Sequence, residues 1–88
     1  MSRKNKPEDF LKLTIKSRKE TAFDGNAHSL TSFNDRGFFD VLPYHTNFVT
    51  LIRDFVVIDK GLPTEKNIKL EKGIVTIISN TVKVYIGI

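Results

Sequence analysis

The two histidines are the side chains of this sequence most often used for catalysis or metal binding. His28 and His45 stand apart, and neither belongs to a motif that sets a nucleophilic Ser, Thr or Cys beside a base. A metal site needs several clustered His, Cys or carboxylate ligands, which two isolated histidines among scattered acids do not supply. We therefore interpret both histidines as structural or surface groups.

Asp35 and Asp40 are the best candidates for a carboxylate pair in acid–base chemistry. They flank a predicted turn, where aspartates usually cap backbone N–H groups and remain solvated. The sequence also has no GxxxxGK[ST] or GxGxxG run that would cradle phosphates. We predict no catalytic residues, no metal ligands and no cofactor, and therefore a protein that is not an enzyme.

The distribution of charge argues against a nucleic-acid partner. The formal net charge is +4, and residues 1–20 account for all of it, with seven Lys and Arg against three Asp and Glu. A folded nucleic-acid reader usually carries its basic stripe on the body of the domain, which here is balanced. The alternative hypothesis is a stand-alone β-sandwich that binds nucleic acid or anionic surfaces through its basic N-terminal arm.

Length and composition predict one small domain without disulfides. The 88 residues suit a single core, and we place the domain at residues 10–88 behind a flexible basic arm at residues 1–9. The absence of cysteine excludes disulfides and is compatible with a reducing cytoplasmic compartment. The apolar stretches are far shorter than the roughly 20 residues that span a bilayer.

Short β-prone segments separated by turn residues run through the whole chain. Residues 10–16 and 81–86 alternate apolar and polar side chains, and Ser79-Asn80 is a two-residue turn that makes residues 74–86 the clearest hairpin. Further breaks are expected at residues 24–26, 34–37, 43–47, 53–54, 61–63 and 72–73. The pattern predicts an all-β fold, a small β-sandwich of about eight to ten short, mostly antiparallel strands.

Aromatic residues are dense between residues 38 and 48. Successive strand residues point to opposite faces, so Phe38 and Phe39 cannot both enter the same core. One of them is therefore predicted to mark a contact surface.

The segment Gly-Phe-Phe-Asp-Val-Leu-Pro-Tyr-His-Thr at residues 37–46 resembles F-type ATP synthase epsilon subunits, which read approximately G-E-[FL]-G-[IV]-[LY]-P-x-H-[AT] there. Upstream, residues 13–17 and Phe23-x-Gly25 look like the family's opening strand and F-x-G turn. Downstream, residues 73–75 and 81–84 look like its G-[GF]-x-x-E-V segment and closing strand. The pieces occur in the family's order from residue 11 to residue 85.

This resemblance implies a rotor protein in which catalysis happens on other subunits. The family's β-sandwich sits at the foot of the central stalk, grips the gamma subunit and rests on the c-ring, coupling ion-driven rotation to ATP synthesis. The implied partners are the gamma subunit, the c-ring and other subunits of the catalytic head. The implied location is peripheral, on the cytoplasmic face of the cell membrane, with membrane contact only through the c-ring.

The resemblance implies that six residues of this sequence lie at partner interfaces, because of their positions relative to the family's segments. On the gamma side they are Ser17, His45 and Thr50, and on the c-ring side they are Arg36, Phe38 and Tyr44.

The departures from the family pattern matter for these interfaces. Phe38 replaces the family's acid, so a charge complementary to basic c-ring loops is missing and a more apolar contact is expected. Asp40 replaces a glycine, Asn47 replaces a proline, and the usual Pro-Gly turn is replaced around residues 53–55. Full-length relatives continue into a two-helix hairpin that restrains ATP hydrolysis, so the expectation is a rotor subunit without the inhibitory C-terminal helices.

Overall fold

The computed structural model describes residues 9–87, where seven strands form one mixed sheet. The strands are β1 (Leu11–Lys16), β2 (Thr21–Ala27), β3 (Leu30–Asn34), β4 (Gly37–Val41), β5 (Phe48–Ile58), β6 (Lys66–Ile78) and β7 (Thr81–Ile86). Their order is β2-β1-β7-β6-β5-β3-β4, and all neighbours are antiparallel except the parallel pair β1 and β7. The all-β prediction is confirmed.

Both ends of this sheet contribute to one hydrophobic core. Leu13 of β1 and Leu30 of β3 belong to the same buried cluster, although β7, β6 and β5 separate their strands in the sheet order. Both side chains are 0% exposed, and residues 9–87 contain strands as their only regular elements, so the sheet must curl over its own core to cover them. Each fully buried Leu, Ile or Val contributes about 1.5–3 kcal/mol relative to exposure.

Strands β5 and β6 are longer than the sequence pattern indicates, which leaves seven strands where eight to ten were predicted. The breaks expected at residues 53–54 and 72–73 are wrong: both fall at one β-bulge, because Arg53 pairs with Lys72 and Asp54 pairs with Leu70, with Glu71 as the extra residue. Pairing continues on both sides of this bulge, so β5 and β6 each remain one bent strand.

The turn predicted at residues 24–26 is wrong. Strand β2 runs through these residues, which pair with β1 in an unbroken register. The chain reverses earlier, where the Ser17 N–H donates to the Glu20 carbonyl at 2.8 Å. Ladder pairing along β1 therefore outweighs the local preference of Gly25 and Asn26 for a turn.

Other predicted breaks are confirmed. Residues 42–47 and 59–65 connect strands without belonging to one, and Asn34-Asp35-Arg36-Gly37 turns β3 into β4. Ser79 and Asn80 join β6 to β7 with φ of 49° and 64°. Positive φ at both central residues is the geometry that a two-residue hairpin turn prefers.

A buried aspartate joins two loops at one end of the sheet. Asp59 is 5% exposed, and its Oδ1 accepts from the backbone N–H of His28 at 2.6 Å and of Ser29 at 3.3 Å. Its Oδ2 accepts from the Thr64 hydroxyl at 2.7 Å. The carboxylate thereby fixes the β2–β3 connection against the β5–β6 connection.

Replacing this carboxylate should destabilise the domain strongly. We expect Asp59→Ala to lower the free energy of unfolding by about 3 kcal/mol, because it leaves two partly buried N–H groups and the Thr64 hydroxyl without their acceptor. Urea denaturation measures the change. The matched control is Asp24→Ala in β2, an exposed aspartate whose loss should cost at most about 0.5 kcal/mol. Equal losses in the two variants would contradict the role given to Asp59.

Candidate partner interfaces

Two of the predicted gamma-side residues lie near each other around Phe48. The His45 ring is 5.8 Å from the Phe48 ring, which in turn meets the Phe39 ring edge-on at 6.2 Å. Thr50 follows two residues later in β5 on the same face, and its hydroxyl oxygen accepts from the Asn34 side chain at 3.2 Å. The structure thus brings His45 and Thr50 to the beginning of β5.

A groove beside β5 places Thr50 next to a residue predicted on the c-ring side. The β3–β4 turn lies along the first half of β5, and Arg36 lines the same groove of about 520 Å³ as Thr50. An adjoining groove of about 350 Å³ continues past Asp35 to Arg53. Residues assigned to different partners by sequence position therefore lie side by side here.

Ser17 lies away from this groove, at the end of β1. Its hydroxyl oxygen accepts from the N–H groups of Lys19 and Glu20, both at 3.3 Å, and so holds the β1–β2 turn. None of its contacts described in residues 9–87 reaches His45 or Thr50. The gamma-side placement of Ser17 stays a prediction.

Tyr44 lies in the 42–47 loop, which is hydrogen-bonded to the turn of the β6–β7 hairpin. The Tyr44 N–H donates to the Asn80 side-chain oxygen at 2.7 Å, and the Asn80 side-chain nitrogen donates to the Phe10 carbonyl at 2.7 Å. Asn47 adds a second link by accepting from the Ser79 N–H at 3.0 Å. Asparagine at position 47 therefore has a structural role that a proline there could not have, since proline has no side-chain acceptor.

Phe38 and Phe39 lie on opposite faces of β4, as predicted. Phe39 packs against the core, whereas Phe38 is 73% exposed. The Phe38 ring lies 5.0 Å from the Phe33 ring and 5.8 Å from the Phe55 ring, and the Arg53 guanidinium lies 5.1 Å from the centre of the Phe33 ring. We call Phe33, Phe38 and Phe55 the aromatic cluster.

A second exposed surface was missed by sequence reasoning. The cross-strand row of Leu51, Ile74 and Tyr85 runs over β5, β6 and β7 on the side of the sheet away from the core, and Val49 and Ile78 flank it. Val49, Leu51 and Ile78 are each more than 60% exposed. We call these five residues the apolar face. The sequence did contain a signal for this surface. Apolar residues occur on both alternating phases of β5 and β6, whereas a single core needs them on one phase.

Asp40 and both histidines have hydrogen-bond partners in the described part of the chain. Asp40 accepts from the Thr31 hydroxyl at 2.5 Å, and His28 Nδ1 lies 3.2 Å from the Asp9 carbonyl oxygen. Within residues 9–87 no group of three His, Asp or Glu is placed to hold a metal ion. That part of the chain also has no helix of the length and apolar character needed to cross a membrane.

The predicted basic arm at residues 1–9 falls outside the described residues, except for Asp9. Asp9 is buried, at 8% exposed. The arm and its part in the alternative hypothesis stay predictions.

Comparison with known proteins finds similarity in structure alone. No protein-family model and no curated protein matches the chain. A chain in the structure of Euglena gracilis mitochondrial ATP synthase, OSCP/F1/c-ring in rotational state 1, matches with a TM-score of 0.78 and 15% identity, over 93% of this chain and 59% of that one. A chain in the Tetrahymena thermophila mitochondrial ATP synthase central stalk and c-ring matches with a TM-score of 0.71 and 10% identity, over 85% and 61%.

This chain shares its fold with chains of mitochondrial ATP synthase structures. It spans about three fifths of the length of the two chains it matches. At these identities the likeness establishes the fold, and this fold is consistent with the resemblance to epsilon subunits found in the sequence.

The Asn80 side chain should control the order of the 42–47 loop. We expect Asn80→Gly, which keeps the positive φ of the turn, to cost about 2 kcal/mol of unfolding free energy and to speed hydrogen exchange at the Tyr44 amide at least tenfold. Hydrogen exchange followed by NMR measures this. Ser79→Gly is the control, since it alters the same turn without removing that acceptor. An unchanged Tyr44 exchange rate in Asn80→Gly would contradict the proposed link.

Proposed function

We propose that this chain is a non-catalytic rotor subunit in the central stalk of an F-type ATP synthase. In this role it joins the gamma subunit to the c-ring, so that ion-driven rotation reaches the catalytic head. The observation that supports the proposal most is the fold likeness over 93% of the chain to a chain of an ATP synthase structure. The epsilon-like segments, which occur in the family's order along the sequence, support it independently.

The apolar face is the surface that we propose docks on gamma. Stable interfaces have an apolar centre with a polar rim, and large exposed apolar patches on small proteins mark interaction sites. Leu51 and Tyr85 lie within this face at 65% and 40% exposed, and Lys83 and Lys16 lie beside Tyr85 in β7 and β1. Covering the face would remove apolar area from water, which favours a lasting contact within a rotor.

His45 and Thr50 belong to the edge of this proposed gamma contact. Thr50 lies between Val49 and Leu51 in β5, and its side chain points to the opposite side of the strand. His45 reaches the same strand through the ring of Phe48. A partner that covers the apolar face would contact both residues at its rim only if it also wraps around the beginning of β5.

The β3–β4 turn is the part that we propose faces the c-ring. Arg36 is exposed at its tip, and Phe38 follows on the outer side of β4. Tyr44 lies in the 42–47 loop, so its c-ring contact would be a separate one. Membrane association would then be peripheral and indirect, through the c-ring.

A charge placed in the apolar face should break the gamma contact without unfolding the domain. We expect Leu51→Asp to weaken binding to the gamma subunit at least about tenfold, because the carboxylate would be buried without a partner at the interface. Isothermal titration calorimetry with gamma from the same cell measures this. The matched control is Leu62→Asp in the β5–β6 connection, a leucine 41% exposed and outside the face. Equal affinities of both variants would refute this placement of the interface.

The placement of the rim needs a second test. The double substitution His45→Glu with Thr50→Glu should weaken gamma binding by about threefold to tenfold, since rim contacts contribute less than central ones. The circular dichroism spectrum and the thermal unfolding midpoint verify that the fold is kept. Unchanged gamma affinity in a folded double variant would remove His45 and Thr50 from the interface.

A further inference from the structure

The first half of β5 is an open edge of the sheet. Residues 48–52 pair with β6 on one side. On the other side β3 pairs with β5 only at residues 56–58, and no strand of residues 9–87 pairs with residues 48–52 there. The backbone groups on that side therefore have no ladder partner in the described part of the chain, and water or another strand must satisfy them.

Hydrogen bonds at the far end of β5 show which residues direct their backbone groups toward β3. The Asp59 N–H donates to the Ser29 carbonyl at 3.0 Å, which continues the β3–β5 ladder. The Phe55 carbonyl accepts from the Ser32 hydroxyl at 2.7 Å. The odd-numbered residues of β5 therefore face the β3 side.

The same alternation continues into the open half of β5. The extra residue of the bulge belongs to β6, and Ile52 and Val56 are both buried, one on each side of it. Val49 and Leu51 therefore direct their N–H and C=O groups to the open edge. The Leu51 carbonyl accepts from the neighbouring Thr50 hydroxyl at 3.2 Å, which is a local bond in place of a ladder bond.

The other open edges of the sheet have features that oppose the addition of a strand. β2 has a bulge near its beginning and carries Asp24, and β4 is only five residues long and carries Asp40. The first half of β6 carries Lys66 and Lys69. Residues 48–52 read Phe-Val-Thr-Leu-Ile, with no charge, proline, glycine or bulge. This edge is therefore the one that a β-strand of another protein would find unprotected.

The open edge of β5 lies in the groove that the β3–β4 turn forms with this strand. Asp35 and Arg36 line that groove with opposite charges, so charge does not select the occupant. Val49 and Leu51 are apolar and more than 60% exposed on the outer side, whereas Thr50 faces the turn from the other phase. An added strand would lay alternate side chains against apolar and polar neighbours.

We infer that the open edge of β5 takes up an extended segment of a partner protein as an added strand. The segment pairs through its backbone with Val49 and Leu51, which offer two N–H and two C=O groups. Its side chains alternate, apolar on the outer side and polar toward the β3–β4 turn. That the segment belongs to gamma rests on the proposed function.

Two other occupants fit this edge less well. Residues 1–8 of this chain include Pro7, and Met1 is their one other apolar residue, so they lack the alternation that the groove matches. In a pair of identical chains, each copy would bring its own β3–β4 turn into the groove that the other copy's β5 has to enter. A single extended segment meets no such obstacle.

Hydrogen exchange on the unaltered full-length chain tests the inference directly. In the free chain at low concentration, and relative to their intrinsic rates, the Val49 and Leu51 amides should exchange at least about tenfold faster than those of Thr50 and Ile52, which face β6. Binding of the gamma subunit should then slow exchange at Val49 and Leu51 at least about tenfold. Mass spectrometry with single-residue fragmentation measures both.

Backbone N-methylation separates the edge from the side chains of the apolar face. N-methylation of Leu51 in a synthetic chain keeps the leucine side chain and removes the N–H of the open edge. We expect an unchanged thermal unfolding midpoint and gamma binding at least about tenfold weaker. The matched control is N-methylation of Thr50, which should lower the midpoint because it removes a ladder bond to β6. Unchanged gamma affinity after methylation of Leu51 overturns the inference.

The outcomes separate the inference from the proposed function. If gamma binds but the Val49 and Leu51 amides exchange as fast as in the free chain, the inference is overturned and the proposed function stands. If gamma does not bind, the proposed function fails, and a peptide of alternating threonine and valine at millimolar concentration decides the inference. Slower exchange at both amides with this peptide, and not with a counterpart that has proline at its centre, supports it. No slowing with either peptide overturns it.

Self-association of the chain is the remaining outcome. Exchange at the Val49 and Leu51 amides that slows as the concentration of the free chain rises, together with a dimer in analytical ultracentrifugation, would assign the edge to a second copy. That result overturns the inference of a partner segment.

Discussion

One bent pair of strands is the constraint on which the rest of this structure depends. Strands β5 and β6 stay paired from Phe48 opposite Ile77 to Ile58 opposite Lys66, with the single extra residue Glu71 at the bulge. A bulge bends and twists the pair without ending it, so one sheet can turn back over its own core. Gly73, just beyond the bulge, is buried where any Cβ would come within 2.8 Å of the Tyr85 carbonyl oxygen. β6 therefore approaches β7 at this point in a way that only glycine permits.

The same bend separates the two surfaces that we propose as partner contacts. Val49 and Leu51 precede the bulge in β5 and belong to the apolar face, whereas Phe55 follows it and belongs to the aromatic cluster. All three lie on the outer phase of the strand, yet a curled sheet directs the two halves to separate parts of the surface. The proposed role, which joins two partners, needs two such surfaces, and this strand pair contributes to both.

Sequence patterns predicted what depends on local residue preferences. The alternation in β1 and β7, the Ser79-Asn80 turn and the split between Phe38 and Phe39 each follow from neighbours a few residues apart. The continuity of β5 through Arg53-Asp54 and the extended path of Gly25 depend instead on partner strands distant in sequence, which override turn preferences. The apolar face was missed for a related reason: apolar residues on both phases of a strand do not reveal which phase enters the core.

Affinity purification from the source cell would test the central claim most directly. With a tag on this chain, mild solubilisation of the membrane and mass spectrometry of the recovered complex, the account predicts gamma and the c-ring subunit, with this chain and gamma in equal amounts. As a control, a tag on another subunit must recover the intact ATP synthase from the same cells. If that control succeeds, recovery of this chain without gamma would contradict the claim.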